Sequence, residues 1–142
     1  MTPQNIWTGL SFSTQKEDSA YDLLVQQSKY LIIATSGELR MEVDAVDSYL
    51  DQDPPIPVAV YTLYVVAPNL GNFRRKILTV TEGKAAGHFP VDIFCHIDEK
   101  KEEDVLEKDF INKLSAILSR PLVKTSIENL YQQSKEYSKS KV

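Results

Sequence analysis

The sequence predicts an α+β fold: a long N-terminal helix, an antiparallel β-meander and a C-terminal helical hairpin, in the order (β)αββββαα. Three observations carry this. Apolar residues recur at helical spacing over residues 20–34, and they do so again over residues 106–131. Between these stretches the pattern becomes alternating or wholly apolar runs, separated by Pro and Gly. The meander has four strands, or five if an edge strand forms at residues 6–12.

In residues 6–12, Ile6, Leu10 and Phe12 share one parity, and Gly9 weakens the strand. Thr14 with Glu17 makes a capping box. Glu17 and Asp18 put negative charge in the first turn, and Gly37 sits where a left-handed terminal residue belongs. The stripe between them is Ala20, Leu23, Leu24, Gln27, Leu31 and Ala34, flanked by Tyr21 and Ile32, which predicts a helix of about five turns. Residues 38–47 alternate. Leu39, Met41, Val43 and Ala45 face a core, while Glu38, Arg40, Glu42 and Asp44 form a wet, net-acidic side. Pro54, Pro55 and Pro57 then hold a loop.

Three strands follow, at residues 58–67, 73–81 and 89–97. The first is apolar on both parities, so it is expected to be central. The links around Pro68 to Gly71 and Gly83 to Gly87 are too short for parallel crossovers, hence the meander. A charged stretch at residues 99–109 is expected to merge into a helix whose stripe is Leu106, Phe110, Leu114, Ile117 and Leu118, ended by Arg120-Pro121. A second helix is expected over residues 122–133, with Val123, Ile127, Leu130 and Tyr131 inward. Residues 1–133 form one domain, and the Lys- and Ser-rich tail, 134–142, is expected to fray.

The 142-residue chain can bury one substantial core without staples. Cys95 is the sole cysteine, which excludes an intramolecular disulfide and suits a reducing compartment. Residues 1–5 show no basic region leading into an apolar run, and no apolar stretch approaches the ~18 residues of a membrane span, so the expected location is cytoplasmic. A net charge of −4 argues against nucleic acid as a partner.

His88, Asp92, His96 and Asp98 share a parity on the third meander strand, a row that resembles metal ligands. A strand rises about 3.3 Å per residue, so the two histidines would lie about 26 Å apart and cannot share one ion. No metal and no cofactor are expected. Glycine motifs for phosphate are absent, since Ala85 follows Gly83-Lys84 where a hydroxyl residue is required. Arg74-Arg75-Lys76 is the densest basic cluster. Arg74 or Arg75 could fork a phosphate or carboxylate, with Phe73, Tyr61 or Tyr64 offering a stacking surface. The simpler role for these cations is to neutralise Glu42, Asp44 and Asp92.

The expected function is therefore that of a small non-enzymatic binding protein that occupies a protein partner, as an inhibitor, adaptor or immunity-type protein does. The alternative is an oligomeric binder of a small anionic, nucleotide-like ligand through Arg74, Arg75 and Lys76. Three helices on one side of a doubly apolar strand would leave the other side uncovered, which predicts a homo-oligomer.

Overall fold

A strand that is apolar on both faces should have neighbours on both edges, and residues 56–67 have them. In the computed structural model, which describes residues 19–83 and 87–140, β2 (Ile56–Ala67) lies between β1 (Arg40–Leu50) and β3 (Phe73–Gly83). β4 (Val91–Cys95) and β5 (Lys101–Val105) complete an antiparallel sheet in the order β1-β2-β3-β4-β5. One helix precedes the sheet, α1 (Ala20–Ala34), and two follow it, α2 (Glu107–Leu118) and α3 (Pro121–Ser140). The α+β meander is as the periodicities predict. No helix among the described residues is long and apolar enough to cross a membrane.

Cross-strand pairing sorts the side chains into two faces. One face carries the rows Val43, Leu63, Leu78, Cys95 and Ala45, Tyr61, Val80, Ile93. All three helices pack there, burying Leu24 of α1, Phe110, Leu114 and Ile117 of α2, and Val123 and Leu130 of α3 in a single core. The opposite face carries Glu42, Tyr64, Lys76, then Asp44, Thr62, Thr79, Phe94, then Val46, Val60, Thr81, Asp92. Its β2 residues Val58 and Val66 are buried, Val60, Thr62 and Tyr64 are half-buried, and Val46 of β1 is exposed.

A bulge decides which face receives the basic residues. Leu63 pairs with Leu78 but Tyr64 pairs with Lys76, so Ile77 has no partner on β2. Ile77 and Leu78 are consecutive, yet both lie in the core cluster. Beyond the bulge, Arg74 and Lys76 face away from the helices, and Arg75 faces toward them.

Several boundaries differ from expectation. The fifth strand lies in the charged stretch: residues 101–105 pair with β4 instead of leading into α2. Only Val105 of β5 is buried, as suits an edge strand whose charges stay in water. β4 begins at Val91, so His88 lies before the strand and the parity that grouped it with His96 does not extend to it. α3 continues past Gln133 to Ser140, because Ser134 is buried and its hydroxyl donates to Glu38 Oε2 at 2.6 Å. α1 is capped by Ser19, whose Oγ accepts from the Asp22 amide at 3.1 Å while Asp22 accepts from the Ser19 amide at 3.3 Å. At its other end Gly37 adopts φ +82°. The strand expected at residues 6–12 and the Thr14 capping box fall outside the described residues.

Candidate functional site

The six residues singled out from sequence are divided by the sheet. On the open face, the Arg74 guanidinium lies 3.9 Å from the centre of the Tyr64 ring. It also meets Glu42 at 3.2 Å and Asp44 at 2.9 Å. Arg40 reaches Glu42 at 2.9 Å from the adjoining position. Lys76 shares this face and is exposed. Arg74 is thus held by two carboxylates, the neutralising arrangement, and an anionic ligand would have to displace them. Arg75 lies on the helical side, beside Leu122, Ser126 and Leu130 of α3, with its guanidinium 5.7 Å from the exposed Phe73 ring. Tyr61 also faces the helices and does not meet the basic cluster.

The two histidines are parted as well. His96 lies on the open face, where its Nε2 is 2.6 Å from Thr79 Oγ1 and its ring meets Phe94 edge-on at 5.0 Å. Burial, together with the Lys76 charge, holds its pKa below the ordinary histidine value. A histidine pKa lowered by folding stabilises the native state above the unfolded value of about 6.5, and that contribution is lost as pH falls through the folded value. Urea midpoints measured between pH 7.5 and 5.5 should therefore fall with acidification in the native protein and fall less steeply in His96→Gln. The difference in slope should not exceed about 1.4 kcal/mol per pH unit, the limit for one proton. Parallel profiles would exclude His96 as the source.

His88 goes to the other face, to a site that the basic-cluster reading overlooked. α1 begins near the level of Tyr61, whose ring meets Tyr21 at 5.6 Å. The next row of the sheet, Asp47, Ala59 and Glu82, lines a cavity of about 550 Å³ together with Ala45, Tyr61 and His88. Glu82 is only 5% exposed. Its Oε2 accepts from the Tyr61 hydroxyl at 2.7 Å, and its Oε1 lies 3.2 Å from His88 Nδ1. Burial and the neighbouring Glu82 raise the Tyr61 pKa well above its ordinary value, so the phenol stays protonated as a donor. In the sequence Glu82 shares the parity of Leu78 and Val80, but so do Arg74 and Lys76, which only the bulge at Ile77 sends to the other face.

No group of three or more His, Cys, Asp or Glu among the described residues is arranged to hold a metal ion. The chain matches no protein-family model, no curated protein and no solved structure. A functional reading therefore rests on the geometry of its two faces.

Proposed function

We propose that this chain is a non-enzymatic cytoplasmic binding protein that occupies a protein partner through the open face of its sheet. The observation that supports the reading is that all three helices pack on one face. The other face presents Tyr64, Phe94, Val46 and Val60 amid charges that already pair with one another. A centre of aromatic and aliphatic side chains within a paired polar rim suits a protein surface of low net charge. It suits a small anion less well, because Glu42 and Asp44 already hold Arg74. Val46, Tyr49 and Leu50 of β1 are also exposed, which favours association of two copies through this strand.

The test compares capture of a partner from cell extract by the native protein, by Val46→Asp/Phe94→Asp on the open face, and by Tyr30→Ser/Ile33→Ser on the exposed side of α1. Capture should drop at least tenfold for the first variant and persist for the second, with unchanged circular dichroism in both. Loss with the α1 variant alone would overturn the assignment of the face. Sedimentation velocity at tens of micromolar should give the mass of two chains for the native protein. A single-chain mass would remove the self-association part of the reading.

A further inference from the structure

A further feature lies apart from the open face, on the helical side, where the start of β3 adjoins α3. We infer that the groove between Arg75 and α3 binds a small organic monocarboxylate, with the Arg75 guanidinium as counter-charge and the Ser126 hydroxyl as a second donor.

The first consideration is Arg75 itself. Arg40, Arg74 and Arg120 each meet a carboxylate at 2.9 Å. Arg75 meets none among the described residues, and the charged group has only the Phe73 ring, at 5.7 Å, as an aromatic neighbour. Its Nε is buried without a hydrogen-bond partner. The Ser126 Oγ, which lines the same groove, is buried and unpartnered too. Buried polar groups left unpaired are unfavourable, so a ligand that brings acceptor oxygens to this point relieves a strain already present in the free protein.

The second consideration is the lining. Leu122, Ser126, Asn129 and Gln133 recur at three- and four-residue spacing and so share one side of α3, with Thr125 next to them. Hydroxyl and amide groups on that side can all donate, and no described Asp or Glu lines the groove. An ammonium ligand would meet the Arg75 charge and no counter-charge. A carboxylate would meet a planar cation whose paired N–H groups match its two oxygens. One guanidinium balances one negative charge, which suits a carboxylate better than a phosphate dianion. Pro121, Leu122 and Leu130 give apolar surface for the carbon part of the ligand. The volume, about 430 Å³, lies within the range of small-molecule sites.

Isothermal titration of the full chain with benzoate, against the neutral benzamide, the cation benzylamine and the dianion phenyl phosphate, tests the assignment. Benzoate should bind with millimolar or tighter affinity, benzamide and benzylamine at least tenfold more weakly, and phenyl phosphate no more tightly than benzoate. Arg75→Gln removes the charge and should weaken benzoate at least tenfold. Ser126→Ala should weaken it roughly three- to tenfold and leave the urea midpoint unchanged or higher, because the hydroxyl it removes has no partner in the fold. Should Arg75→Gln fail to fold, Asn129→Asp provides a second arm: it adds a carboxylate to the groove at an exposed position of α3 and should weaken benzoate at least tenfold. No binding of benzoate at 10 mM (roughly the weakest affinity worth assigning), equal binding of benzamide, tighter binding of phenyl phosphate, or unchanged affinity in a folded Arg75→Gln would each overturn the inference.

Discussion

Phe110→Ala is expected to cost about 3–5 kcal/mol, the range for emptying a buried aromatic site. That is a large part of the stability of a domain this size, typically 5–15 kcal/mol. Phe110 is fully buried on α2 and meets the Phe89 ring edge-on at 5.5 Å and 69°. Phe89 lies just before β4, so the two rings join the helical hairpin to the start of that strand. Two contributions can be separated. The lost transfer and cavity terms belong to Phe110 alone. The ring pair adds about 0.5–1.5 kcal/mol beyond burial. Phe110→Leu fills most of the volume and loses only the ring geometry, so it should cost far less than Phe110→Ala. In urea denaturation the midpoint should fall with the slope unchanged. A double-mutant cycle with Phe89→Leu should return a coupling near the ring-pair value. A cost below 1 kcal/mol for Phe110→Ala would mean that α2 is not anchored where its stripe places it.

Phe110 was legible because a helical stripe reports burial directly. Leu106, Phe110, Leu114 and Ile117 recur at three- and four-residue spacing whatever they pack against, and three of the four are buried. The same held for β1, where alternation from Leu39 to Val43 named the core side. Features that depend on a partner were harder to see. Residues 101–105, Lys-Glu-Glu-Asp-Val, show no period of two, because an edge strand with one buried residue has little apolar pattern to display. Only pairing with β4 makes them a strand. The bulge at Ile77 was hidden because Ile77 and Leu78 are both apolar. Two adjacent core residues read equally well as a strand buried on both faces. The consequence reaches the basic cluster: alternation alone parts Arg75 from Arg74 and Lys76, but the bulge decides which of them faces the helices. Tyr61 shows the same limit: its parity was legible, but its bond to Glu82, 21 residues away, was not. Glu82 did not stand out on its parity either, because Arg74 and Lys76 share it in the sequence and leave it only through the bulge.

Arg120 marks the point where sequence offered a helix stop and the fold uses a charge. It lies between α2 and α3, with its Nε 2.9 Å from Asp98 Oδ2 and its Nη1 3.6 Å from Glu102 Oε1. Asp98 occupies the turn between β4 and β5, and its side chain is 5% exposed, against 20% for Arg120. The contact therefore ties the turn of the helical hairpin to the edge of the sheet. Breaking such a pair costs more than forming it gains, because the remaining charge stays in a site that water reaches poorly. Arg120→Met keeps the aliphatic stem and removes the cation. It should destabilise by about 3 kcal/mol, since Asp98 is left with the Lys100 amide at 3.3 Å as its remaining partner among the described residues. Asp98→Asn should cost less: Arg120 retains Glu102 and is the more exposed partner. The double variant Arg120→Met/Asp98→Asn should recover part of the loss, because no isolated carboxylate is then buried. That ordering, with the double variant more stable than Arg120→Met alone, is what distinguishes a buried pair from a surface one. If all three variants instead fall within about 1 kcal/mol of the native protein, the pair behaves as a solvent-screened contact. The orientation of the hairpin would then rest on the apolar stripe alone.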